Sequence, residues 1–136
     1  MKTVYVASRF ALKDEVKKIY SKLEKLGYSV SEDWTRFKSI KPYASNPGLS
    51  REYAIADIDG ARNSDLFILI TDAEGTGMYA ELGAAIGHNL EFGKPTIYVI
   101  GAHLSASFIF FHPSVKRREN IDKVITELNK SSKASK

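Results

Sequence analysis

Reading hydrophobic against polar positions from the N-terminus, Thr3-Val4-Tyr5-Val6-Ala7 is a β-branched and aromatic run that predicts a strand. Leu12, Val16, Ile19, Tyr20, Leu23 and Leu26 then recur at helical spacing until Gly27 supplies a stop. Tyr28-Ser29-Val30-Ser31 alternates as a second strand. Thr35 to Leu49 has no apolar period and holds Pro42, Pro47 and Gly48, which predicts a long loop. A loop of that length is either a lid or binding loop, or simply flexible surface. A second helix is expected from about Ser50 to Asn63, followed by a strand at Asp65-Leu66-Phe67-Ile68-Leu69-Ile70, whose continuous apolar run implies burial on both faces. Past Gly75 and Gly77, the residues Met78, Leu82, Ala85, Ile86 and Leu90 form one helical stripe ended by Gly93. Pro95 opens a strand from Thr96 to Ile100, and the apolar run Phe108 to Phe111 reads as a fifth. Ile121, Val124, Ile125 and Leu128 mark a last helix, with Ser131 to Lys136 expected as a frayed tail.

Strands that alternate with helices imply right-handed crossovers and an open sheet covered on both faces. The expected class is therefore α/β, a flavodoxin/Rossmann-like three-layer sandwich with a five-stranded, mostly parallel sheet. A length of 136 residues suits a single domain, taken as residues 1–130. Ligands of such sheets bind outside the carboxyl ends of the strands where strand order switches, so the loops after Ala7, Val30, Ile70 and Ile100 are the ones to inspect.

Composition changes this picture mainly by exclusion. The absence of cysteine removes disulfide frameworks, thiolate metal sites and cysteine nucleophiles, and suits a reducing compartment. The first strand is too short, and too soon interrupted by Arg9, to be a signal peptide; no apolar stretch reaches about 18 residues. A cytoplasmic protein with no membrane association is expected. The net charge of +4 is concentrated in Lys116-Arg117-Arg118 and in Lys130, Lys133 and Lys136, clusters that solvate a surface, and no nucleic-acid partner is expected. His88, His103 and His112 show no metal-ligand spacing, so neither a metal nor another cofactor is expected.

Candidate chemistry gathers at the predicted mouth of the sheet. In Ile70 to Glu81 a buried strand passes into a turn bearing Gly75 and Gly77, then a helix, so that a ligand can approach the backbone and meet free N–H groups. Glu81 in that helix reads by spacing either as a carboxylate stabilised by the helix dipole or as a reactive group. Asp57 shares the stripe Ala54, Asp57, Ile58, Ala61, which turns a carboxylate inward, where charges are rarely found without a partner. Two carboxylates beside one cleft can divide glycosidic cleavage, one attacking the anomeric carbon and the other handling protons. Ser8-Arg9 after the first strand is either a helix cap beside a solvated arginine or a phosphate holder. Tyr5 and Phe10 read as core or pocket wall.

Together, Tyr5 to Phe10, Asp57-Ile58-Asp59 through Ser64 to Ile70, and Gly77-Met78-Tyr79-Ala80-Glu81-Leu82-Gly83-Ala84-Ala85 resemble the nucleoside 2-deoxyribosyltransferase-like superfamily across roughly residues 3–100, most specifically at Glu81 to Ala85. The resemblance implies cleavage or transfer of the N-glycosidic bond of a 2′-deoxyribonucleoside or its 5′-monophosphate. In it Glu81 is the nucleophile that forms a covalent deoxyribosyl-enzyme, Asp57 assists, and Tyr5 orients the nucleophile. Ser8, Arg9, Phe10, Gly75, Gly77 and Met78 are implied as substrate contacts, and a homodimer or larger homo-oligomer is implied. The place where transferases carry a base-contacting acid and the phosphohydrolase branch a serine falls on Gly75, beside Glu74. Two other readings remain: a non-catalytic nucleotide or nucleotide-sugar sensor, and an NAD- or ADP-ribose-directed glycosidase.

Overall fold

The computed structural model describes residues 2–74 and 77–134. Five parallel strands, β1 (Thr3–Ala7), β2 (Ser29–Val30), β3 (Leu66–Ile70), β4 (Thr96–Ile100) and β5 (Val115–Arg118), form one sheet in the order β2-β1-β3-β4-β5. Four helices, α1 (Lys13–Glu24), α2 (Pro47–Asn63), α3 (Gly77–Phe92) and α4 (Ile121–Ala134), complete the three-layer α/β sandwich. Among the described strands every pairing is parallel, so the sheet is parallel throughout. α2 and α3 pack along each other. α1 and α4 are joined by an ion pair between Lys22 and Asp122 at 3.3 Å.

β3 is buried along its whole length, which is the physical content of its uninterrupted apolar sequence. It lies between β1 and β4, with Tyr5 opposite Phe67 and Ile70 opposite Ile100, so the loops after β1, β3 and β4 open at one edge. Strand order reverses between β1 and β3, which makes the crevice above Ala7 and Ile70 the switch point.

β2 contributes only two residues, and its ladder with β1 ends at Val4 and Ser31. The next outward-facing backbone groups, those of Val6, are satisfied by side chains instead. Its N–H donates to the Tyr20 hydroxyl at 3.0 Å, and its carbonyl accepts from the Trp34 indole at 2.6 Å. The segment from Trp34 onward, which runs into the stretch Thr35 to Leu49 expected as a loop, is thereby tied to the sheet. It contains two short 3-10 turns, Trp34–Arg36 and Tyr43–Ser45, and α2 begins at Pro47, earlier than the expected Ser50, because proline is accepted in the first turn of a helix.

The expected fifth strand at Phe108 to Phe111 is corrected. Those residues form a 3-10 turn capped by the Ser107 side chain, with Phe110 buried while Phe108 and Phe111 face solvent, which is not the alternation of a strand. β5 is the basic run Val115–Arg118, an edge strand whose charges discourage further pairing. It was illegible as a strand because Lys116 and Arg117 stand on a surface and carry no apolar signal. α4 continues through Ser131 to Ala134. Among the described residues no helix is long and apolar enough to cross a membrane.

Candidate active site

β1 places Tyr5 fully buried beneath the switch point, its ring stacked on Phe67 at 6.0 Å and nearly parallel. Its hydroxyl is directed to the two helices above, where the half-buried side chains of Asp57 on α2 and Glu81 on α3 converge on it. This close approach depends on Gly60: a Cβ there would come within 2.7 Å of the Glu32 Cβ and 3.0 Å of the Tyr5 ring. One turn above Asp57, therefore, α2 has room for no side chain at all.

Electrostatics follow from this crowding. Burial, and then the neighbouring Asp57, push Glu81 from the ordinary glutamate value up to about 8, opposed by hydrogen bonding to Tyr5. Asp57 is pushed up to about 6, first by burial and then by Glu32, again opposed by Tyr5. The Tyr5 phenol, desolvated between two carboxylates, is held far above its usual range and stays protonated. Tyr5 Oη and Asp57 Oδ1 are buried without a hydrogen bond of full geometry, so Tyr5 acts on the two acids through its nearness. Unsatisfied buried polar atoms of this kind mark a place built for a further group. Raised carboxyl pKa values in a cleft are the environment of general acids and of nucleophiles held ready.

A solved structure of Clostridium botulinum CMP N-glycosidase, BcmB, superposes on this chain with a TM-score of 0.57, covering 94% of this chain and 98% of that one at 20% identity. The two chains share one fold. No family model and no curated protein matches the sequence.

The remaining expected site residues are distributed unevenly around the mouth. Ser8 spends its hydroxyl proton on the Arg9 carbonyl at 2.9 Å. Arg9 turns to the loop after β3, with Nε 3.2 Å from Asp72 and Nη1 3.3 Å from Glu74. Phe10 opens a 3-10 turn, 41% exposed and tilted against Trp34 at 6.2 Å, with the Lys13 ammonium 5.2 Å from its ring centre. Gly77 is the first residue of α3, and Met78 is buried in the core. Gly75 lies outside the described residues.

Three features were missed in the sequence. Glu32, just past β2, adds a third carboxylate that bears on Asp57 and is itself 3.7 Å from the Arg36 guanidinium. Trp34 forms part of the wall behind Phe10, and Phe37 stacks on Tyr53 at 4.0 Å, joining the long connection to α2. The signal available was the aromatic and acidic density of Glu32-Asp33-Trp34-Thr35-Arg36-Phe37 in a segment without period. Two surface grooves of about 590 and 660 Å³, beside Tyr20 and Tyr28 and beside Arg117 and Lys123, are not lined by Tyr5, Asp57 or Glu81. No group of three or more histidine or acidic side chains placed to hold a metal ion occurs among the described residues.

Proposed function

We propose that the chain is an N-glycosidic enzyme of the nucleoside 2-deoxyribosyltransferase-like superfamily. It cleaves or transfers the glycosidic bond of a 2′-deoxyribonucleoside or its 5′-monophosphate. The observation that carries this reading is the meeting of Tyr5, Asp57 and Glu81 at the switch point, two acids with raised pKa values around one buried phenol. The fold shared with a CMP N-glycosidase supports it, as do the sequence features that resemble the superfamily.

In this reaction ionised Glu81 attacks C1′. The C1′–N bond breaks, its electron pair leaves with the base, and the base takes up a proton for which Asp57 is the donor or relay. Tyr5 donates to the carboxylate and orients it. Of the two coupled acids, with values of about 6 and about 8, Glu81 holds the one shared proton near neutral pH and Asp57 is ionised, so the reaction begins when Glu81 passes that proton to Asp57. The resulting state supplies one acid and one nucleophile. Water or a second base then attacks C1′ from the vacated face and releases Glu81. No cofactor is required.

The test is to incubate the purified protein with deoxynucleosides and ribonucleosides, with and without a 5′-phosphate and a second free base, and to separate the products by chromatography. Release of free base supports a hydrolase, and base exchange a transferase. No product from any of them overturns the reading, and release of nicotinamide from NAD moves it to a dinucleotide glycosidase.

A further inference from the structure

We propose that Asp72 and Glu74 are specificity-determining residues that keep the Arg9 guanidinium occupied and so turn away 5′-phosphorylated substrates, making the substrate of this site an unphosphorylated nucleoside. The inference rests on the N-glycosidic reading and narrows it. A guanidinium captures phosphate with one of two forks, the Nε–Nη2 edge or the Nη1–Nη2 end. In Arg9 the first is faced at Nε by the Asp72 carboxylate, an ion pair at 3.2 Å in which the buried Nε–H completes no hydrogen bond, and the second is taken up at Nη1 by Glu74 at 3.3 Å. The Nε atom is buried and its nearest counter-charge is Asp72, so turning it toward a ligand separates that ion pair.

Asp72 is also fixed independently of Arg9. Its Oδ1 accepts the Glu74 N–H at 2.9 Å, and the side chain is only 15% exposed. Glu74, at 76% exposed, is the partner that gives way first. The two carboxylates outnumber the one guanidinium, leaving an excess negative charge where the loop after β1 faces the loop after β3. A phosphate dianion arriving there meets like charge, which costs affinity rather than adding it. The Lys13 ammonium is drawn over the Phe10 ring, 5.2 Å from its centre, and His103 lies near enough to bear on Asp72. Ser8 offers no free donor, its hydroxyl proton being directed to the Arg9 carbonyl.

The experiment compares each nucleoside with its 5′-monophosphate, by base release and by calorimetric binding, in the wild type and in Asp72→Asn/Glu74→Gln, with Arg9→Ala alongside. The wild type is expected to favour the nucleoside, and the double variant to raise the monophosphate-to-nucleoside ratio by about tenfold or more through the freed Arg9. Arg9→Ala placed on the double variant is expected to abolish that gain. A wild type that binds and cleaves the monophosphate as well as the nucleoside, or a double variant with an unchanged ratio, overturns the inference while leaving the glycosidase reading intact. If no base is released, the glycosidase reading falls and the binding ratio alone decides the charge filter; binding of neither ligand overturns both. A double variant with a lowered melting temperature is replaced by Asp72→Asn alone, read in the same way.

Discussion

Replacing Glu81 by glutamine should make the protein more stable, and increasingly so as pH rises. Its carboxyl is pushed up to about 8 from an ordinary 4.5, so in the folded state it keeps a proton that the unfolded chain gives up. A folded pKa above the unfolded one favours folding fully below the unfolded value and loses that advantage as pH climbs through the folded one. The loss therefore opens near pH 4.5 and is complete above about pH 8. At about 1.4 kcal/mol per unit, the burden at pH 7 is at most about 3 kcal/mol. Half-burial of the side chain gives solvent a share in screening it, which reduces the figure to about 1–2 kcal/mol. Glutamine has the same shape and no proton to lose. For a domain of this size the variant should melt roughly 3–8 °C above the wild type at neutral pH. The gap should be near zero at pH 4 and largest at pH 9. Melting temperatures by circular dichroism across that range provide the measurement. A gap that does not change with pH, or a glutamine variant less stable than wild type at pH 8, would refute the electrostatic account of the site.

Three further outcomes follow from the same geometry. The profile of kcat/KM against pH should be bell-shaped, with limbs near 6 and near 8, and Asp57→Asn should move Glu81 to lower pKa by removing the neighbouring negative charge; an unmoved limb means the two acids do not face each other. Gly60→Ala should cost about 1–3 kcal/mol in denaturant unfolding, because the added methyl must push aside Glu32 or the Tyr5 ring, and a neutral effect would mean that α2 packs less tightly on β1 than described.

Much of this arrangement was legible along the chain, for reasons that differ from residue to residue. β3 and α3 were clear because burial on both faces, or on one stripe, leaves an unambiguous apolar pattern. Asp57 was legible as an anomaly, a charge on an inward stripe, and the structure brings it to Tyr5 and Glu81. Glu32 was not, since its nearness to Asp57 depends on the close contact at Gly60, a long-range event with no local signature. The run Phe108 to Phe111 misled because it is apolar without alternating, while the true edge strand is charged. The pairing of Arg9 with Asp72 and Glu74 is a meeting of two loops, which sequence spacing leaves open.

The central claim is that Glu81 attacks the anomeric carbon, and the rate of base release by Glu81→Gln tests it most directly, measured on whichever nucleoside the wild type turns over fastest. The account predicts a folded variant, stable to at least the wild-type temperature, whose rate has fallen on the order of 10³-fold or more. Base release by that variant within a few-fold of the wild type would contradict it.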